Sequence, residues 1–365
     1  MSLETITRIG TERRTFLKTA GAAGLTAAGF SSTGSADQPD DSCFETPKQD
    51  ADMYVTVLGS GASALKNGRS SVGYIVHIDG EPRLLVDAGG GTASAISETN
   101  IDITKLDLTL FTHLHVDHSV AFPAILKASY QQGRDSRPWE IYGPSGKGIR
   151  PGTKEWISKM FDGNDGAYSY LQEFVGQYLG TDVRLEAHDI NAPTDNSGKI
   201  QKVYSKDGLT VDAAPTKHGA MPSLAYRVSY QGTSFTFTGD YSSKLGNVPK
   251  LAKGTEVMIQ NRLLKPESKM DGSEPKRVLH STSSEIGMNA QKAGAGILVL
   301  SHISRDTVTD LSEELSIITD KYDGPIAIAN DLVDVYPDGR ILKTKMNDES
   351  GTSGASGDGL MFIPQ

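Results

Sequence analysis

Apolar and polar positions along this chain fall into many short runs separated by turn residues. Met53 to Leu58 and Val72 to Ile78 alternate with a period of two, and Arg83 to Val86 adds a third apolar run. Such stretches, rich in branched and aromatic residues and bounded by Gly and polar clusters, predict strands. Further strands are expected at Leu106 to Phe111, Trp139 to Tyr142 (closed by Gly143-Pro144), Val183 to Ala187, Leu209 to Ala213, Ala225 to Tyr230, Thr233 to Thr238 and Gly296 to Leu300. Helical spacing marks Thr92 to Glu98, Ala121 to Ala128 and Ser284 to Lys292. It also marks Lys154 to Tyr178, with aromatics at Trp156, Phe161, Tyr168, Tyr170 and Phe174. That stripe reads as packing against a sheet, with a lid over a substrate pocket as the alternative. No solenoid-length repeat and no transmembrane span is visible.

Chemistry concentrates where one strand ends. After the apolar run Leu106 to Phe111 comes His113-Leu114-His115-Val116-Asp117-His118. Three imidazoles and a carboxylate on one tight turn can converge from several directions, and both groups are good ligands for divalent metals. The missing ligands sit in similar places. His218 follows the strand at Leu209, Asp240 follows Thr233 to Thr238, and His302 follows Gly296 to Leu300. Each lies near the C-terminal end of an expected strand, where separate strands can bring residues to one sheet edge.

These motifs resemble the metallo-β-lactamase superfamily, and within it the ribonuclease Z and arylsulfatase-like branch. The likeness rests on His113-x-His115-x-Asp117-His118, His218, Asp240 and His302. It extends to Val55 to Gly61, Leu84 to Gly89, Pro222 to Arg227, His280-Ser281-Thr282 and Leu298 to Arg305. The resemblance implies an α/β fold of four layers, an αββα sandwich. It also implies two divalent metal ions, with zinc preferred among ions that such ligands suit. By resemblance His113, His115 and His218 hold one ion, and Asp117, His118 and His302 the other. Asp240 bridges them, its two oxygens each facing a different ion. Between such ions a water loses a proton near neutral pH and becomes a nucleophile, which Asp117 can help to orient. His280 resembles the histidine kept near the scissile bond, where it donates a proton to a departing oxygen or stabilises charge.

Length alone allows one domain or two. The motifs decide for a single domain, residues 53–365, because ligands so far apart in sequence must meet at one site. The first 36 residues read as a separate leader. Glu12-Arg13-Arg14-Thr15-Phe16-Leu17-Lys18 is a twin-arginine export signature, followed by an Ala/Gly-rich stretch and small residues at Gly34-Ser35-Ala36. Residues 37–52 read as a linker. It contains the chain's only cysteine, Cys43, without the apolar approach that a lipoprotein anchor uses. A core built without disulfides suits a chain of this size. The expected location is periplasmic or secreted.

The charge balance is acidic, with 36 basic and 45 acidic side chains and a net charge of −9. Removing the leader takes away four basic and two acidic residues. A nucleic-acid binder carries a basic excess or stripe, and Gly143 to Gly180 instead mixes both signs. A second departure from the ribonuclease Z pattern is Gln260-Asn261, where that family has a His-Glu pair supporting the catalytic histidine. His77, in a strand, and His188, before a loop, read as structural.

The sequence therefore predicts an exported dinuclear hydrolase that cleaves small phosphodiester or aryl sulfate esters. Asp117 and His280 are its expected catalytic residues. A ribonuclease Z-type tRNA 3′-processing endonuclease, a lactonase and a non-catalytic metal-binding protein remain alternatives. The expected partners are a small-molecule ester substrate and the twin-arginine export machinery, with nucleic acid disfavoured and a homodimer left open.

Overall fold

The central strands run as near-continuous apolar segments because both faces of each sheet are covered there. Alternate residues serve different layers. In β2 (Gly73–Ile78) Tyr74 and Val76 face one cluster while Ile75 faces another. In β12 (Ile297–Ser301) Ile297 and Val299 separate in the same way from Leu298 and Leu300. The computed structural model describes residues 51–64, 68–175, 183–195, 197–262, 278–304 and 311–347. The proposed leader and nearly all of the linker lie outside them. The described residues all belong to one compact unit, Ala51–Gln365.

Fifteen strands among the described residues form two sheets. The first has the order β15 (Ile341–Lys343), β14 (Val333–Val335), β1 (Met53–Gly59), β2, β3 (Glu81–Ala88), β4 (Leu108–Leu110), β5 (Trp139–Pro144), β6 (Leu185–Ile190). The second runs β13 (Ile326–Ile328), β12, β11 (Val257–Asn261), β10 (Thr233–Phe237), β9 (Met221–Tyr230), β8 (Leu209–His218), β7 (Gln201–Lys206). Both follow one plan. Antiparallel pairs fill one half, while β3 to β6 and β10 to β13 pair in parallel.

Val55, Val57, Val76, Val86 and Leu110 meet Val211, Tyr226, Phe237, Ile259 and Val299 between the sheets. Outside the first sheet, α1 (Thr92–Ser97), α3 (Phe122–Gln131) and α4 (Thr153–Phe161) cover Ile75, Leu85 and Phe111. Outside the second, α6 (Val248–Leu251), α7 (Ser283–Ala293) and α8 (Leu311–Thr319) cover Met258, Leu298 and Leu300. The order of layers is αββα, as the resemblance implies. Among the described residues no helix is long and apolar enough to cross a membrane.

One element differs from expectation. The helix expected from Lys154 to Tyr178 stops at Phe161, and the chain resumes as a 3-10 turn at Ser169–Leu171 and a single helical turn, α5 (Gln172–Val175). Asp162-Gly163-Asn164-Asp165-Gly166 breaks it, since these residues favour turns. The aromatic stripe divides accordingly. Trp156 and Phe161 enter the core, whereas Tyr168 and Tyr170 are exposed. Residues 176–178 lie outside the described ones.

Candidate metal centre

Parallel strands place their C-terminal ends side by side, and ligands of open α/β sheets gather there. The ends of β3, β4, β10, β11 and β12 meet at this edge, joined by the end of β8. Beyond β4, Phe111 N still pairs with Tyr142 O, keeping the chain in register as far as the buried Thr112 and His113. The chain then turns into α2 (Val116–Ser119), where Ser119 Oγ and His118 N both donate to His115 O, each at 2.9 Å. Gly89 makes this possible. A Cβ added there would stand 2.2 Å from Asp117 O.

His113 Nε2 lies 2.9 Å from His115 Nδ1, which lies 3.3 Å from His218 Nε2. Three ring nitrogens converging this closely could hold one metal ion between them. Tetrahedral zinc with Zn–N near 2.0–2.1 Å would space its nitrogens by about 3.3 Å. Opposite them, His302 Nε2 lies 3.4 Å from Asp117 Oδ2, and His118 Nε2 lies 3.9 Å from the same oxygen. Asp240 joins both groups. Its Oδ2 is 3.7 Å from His118 Nε2, 3.7 Å from His218 Nε2 and 3.4 Å from His302 Nε2.

The buried donors fit divalent metal ions. His118 Nδ1 lies 2.8 Å from Asp87 Oδ2 and donates to it. That leaves the buried His118 Nε2 facing two carboxylates, with no hydrogen-bond partner among the described residues. His218 Nδ1 donates to Leu279 O at 2.8 Å, which turns Nε2 inward. A histidine that donates its outer N–H in this way has a fixed tautomer and a more basic inner nitrogen.

Burial, reinforced by neighbouring imidazoles, holds His113 and His115 below the usual histidine range. Both are therefore neutral, as ligands must be. Burial would raise Asp117, but the His302 hydrogen bond and the nearby His118 outweigh it and bring it to about 2. Burial would raise Asp240 too, yet His302, His280 and His118 keep it well below the ordinary carboxylate value. Burial would lower His118, and the carboxylates Asp87 and Asp240 reverse that.

All seven expected ligands thus meet at one place, with His280 beside them. His280 Nε2 lies 3.9 Å from Asp240 Oδ2, and its ring stacks 5.8 Å from that of His302. His280 lies two residues before the N-cap of α7, whose capping box has Thr282 and Glu285 satisfying each other's backbone N–H groups. Burial pushes His280 down to about 3, so it is neutral near pH 7.

Three expectations change. His218 is the last residue of β8, not a residue beyond it. The close contacts of Asp240 with the histidines run through Oδ2, while Oδ1 accepts a 2.9 Å hydrogen bond from Asn261 Nδ2. Gln260 and Asn261 do not support His280: Gln260 accepts from Tyr241 Oη, and Asn261 holds Asp240. His188 lies within β6, stacked on Tyr142, and His77 bonds Thr56 inside the first sheet.

Asp87 was missed as a site residue, although it is an acid at the end of the apolar run within Leu84 to Gly89. It also accepts from Thr112 N and Thr112 Oγ1 at 2.8 and 2.7 Å. Asp87 and His302 both hold left-handed backbone, with φ of 55° and 59°. That conformation costs non-glycine residues of order 1–3 kcal/mol and clusters at functional sites.

A family model described as the beta-lactamase superfamily domain matches residues 82–303. Ribonuclease Z of Mycobacterium marinum is 26% identical over 297 residues, covering 77% of this chain and 97% of its own length. Ribonuclease Z of Mycobacterium bovis is also 26% identical, covering 78% and 99%. Among solved structures, the short form of human tRNase Z has a TM-score of 0.56 at 20% identity, covering 77% of this chain and 98% of that one. The metallo-β-lactamase fold protein YhfI of Bacillus subtilis has a TM-score of 0.54 at 20% identity, covering 80% and 99%. With this fold and this cluster of ligands, the chain belongs to the metallo-β-lactamase superfamily of metal-dependent hydrolases.

Proposed function

We propose that this protein is a phosphodiesterase working through a dinuclear, zinc-preferring centre. Its substrate on this reading is an RNA phosphodiester, cut as in ribonuclease Z-type processing of tRNA 3′ ends. The observation that carries the reaction type is His280, which lies within reach of the ligand cluster while all seven other donors face one another. The breadth of similarity to proteins named ribonuclease Z supports RNA as substrate.

Two divalent ions bound here would neutralise charge on the attacked ester and make water a stronger nucleophile. Asp117, less deeply buried than Asp240, is placed to orient that nucleophile. The neutral ring of His280 suits hydrogen-bond donation to the departing oxygen better than storage of a full proton. Its Nδ1 has no hydrogen-bond partner among the described residues, so no neighbour fixes which nitrogen donates.

One observation favours a second reading, a small exported phosphodiester or aryl sulfate. Between Gly143 and Tyr170 four basic residues stand among three acids, and Lys159 is paired with Glu155 at 2.6 Å. Phosphate-gripping surfaces are instead strongly basic. Export rests on Arg13-Arg14 and the leader alone.

The test compares a tRNA precursor, bis(p-nitrophenyl) phosphate and p-nitrophenyl sulfate, using the zinc-loaded chain and its His280→Ala variant. Cleavage of the precursor at its 3′ side, reduced about 10²–10⁴-fold in the variant, is the expected result. Turnover of small phosphodiesters alone would establish the second reading. Turnover of the sulfate alone would overturn phosphodiester chemistry. A fully loaded protein inert on all three would leave a lactonase or a non-catalytic metal protein.

A further inference from the structure

Asp240 stands at the centre of the ligand cluster, and its orientation decides which of its oxygens the histidines meet. Four imidazole nitrogens, Nε2 of His118, His218, His280 and His302, lie 3.4–3.9 Å from Oδ2. Oδ1 is taken by the side-chain amide of Asn261, a buried residue at the end of β11. β11 lies between the strands that deliver Asp240 and His302, and Asn261 pairs in register with Ser301 beside His302.

Asn261 is itself held. Its backbone N donates to Thr238 Oγ1 at 3.1 Å, and its carbonyl accepts from Gln260 Nε2 at 2.6 Å. Gln260 Oε1 accepts from Tyr241 Oη at 3.0 Å, so Asp240-Tyr241 and Gln260-Asn261 are laced by two side-chain bonds. Asn289 Nδ2 on α7 donates to Tyr241 Oη at 3.0 Å, and Ser281 Oγ, next to His280, donates to Tyr241 O at 2.9 Å. Every side chain in this chain of bonds other than Asp240 is uncharged. An amide donor fixes a carboxylate without neutralising it, as a lysine or arginine would, and without repelling it, as a second acid would.

We propose that Asn261 is a positioning residue of the metal centre, holding Asp240 by Oδ1 so that Oδ2 faces the clustered histidines with the carboxylate still ionised. The inference rests on the dinuclear-site reading and not on the identity of the substrate. Partners that orient a metal ligand typically contribute 10–100-fold in affinity.

The experiment uses the metal-stripped full chain titrated with Co2+, read by visible absorption for ligand geometry and by chelator competition for affinity and stoichiometry. Asn261→Ala should bind Co2+ about 10–100-fold more weakly and show altered visible bands, with an unfolding temperature in the metal-free state close to wild type. Asn261→Ser, too short to reach Oδ1, should behave likewise and stands in if the alanine variant does not fold. Wild-type bands and affinity in either folded variant would overturn the inference. A wild-type chain that takes up no Co2+ would overturn the metal-centre reading itself, and this inference with it.

Discussion

The buried carboxylate of Asp87 accepts a hydrogen bond of 2.8 Å from His118 Nδ1 across 31 residues of sequence. Because Thr112 also donates to Asp87 through both its backbone and its hydroxyl, one carboxylate fixes the start of the metal loop and a ring near its end. Asp87→Ala should therefore weaken divalent-metal binding about 10–100-fold, measured by competition with a chromophoric chelator. Unchanged affinity would show that packing alone orients His118.

Gly89 carries a different kind of constraint. A methyl group there would approach Asp117 O at 2.2 Å and Val72 O at 2.7 Å, both backbone atoms. Gly89→Ala should cost about 1–3 kcal/mol of stability and weaken metal binding, because the displaced atoms belong to the ligand loop. Urea denaturation of metal-free and loaded protein separates the two effects. A stability loss with full metal affinity would mean that the loop moves as a rigid piece.

His77 makes stability depend on pH. Thr56 Oγ1 donates to Asp334 and so must accept from His77 Nε2, leaving a neutral ring with Nδ1 buried. Burial lowers His77 from 6.5 to about 3. Between these values the unfolded chain binds a proton that the folded chain refuses, so stability falls as the pH falls. The slope is about 1.4 kcal/mol per pH unit, flat above 6.5 and flat again below 3. Unfolding free energies of His77→Gln should show a shallower acid slope than wild type by that amount. Parallel slopes would contradict the assignment.

Candidate ligands drawn from two sheets would make bound metal ions a structural element too. Saturating the stripped protein at a hundred times the dissociation constant should add about 2.7 kcal/mol per independent site. Calorimetry with and without a chelator reads this as a change in unfolding temperature. No change would mean that the unfolded chain binds the ions equally well.

The residues that converge in the cluster were legible because their information is local. His113 to His118 form one turn, and each remaining ligand follows an apolar run long enough to be recognised as a strand. Asn261's link to Asp240 was not legible, since it depends on β10 and β11 lying side by side in register. The break after Phe161 was visible in Asp162 to Gly166 but was masked by aromatics that kept helical spacing across it. Short edge strands such as β7 and β15 carry too few apolar residues to stand out. The left-handed backbone of His302 comes from its neighbours: Ile303 N donates to Ser60 O at 2.8 Å, tying the ligand to the opposite sheet.

His113, His115, Asp117 and His118 hang from the first sheet, while His218, Asp240 and His302 hang from the second. The greasy seam between them, with Val57, Val86, Phe237 and Val299, is therefore also the ruler that sets ligand spacing. Because close-packed interiors transmit strain, a change of volume there would shift one set of residues against the other. Substitutions deep in that seam are expected to retune reactivity well before they unfold the protein, so drift in its valines is a route by which this scaffold can exchange one ester for another.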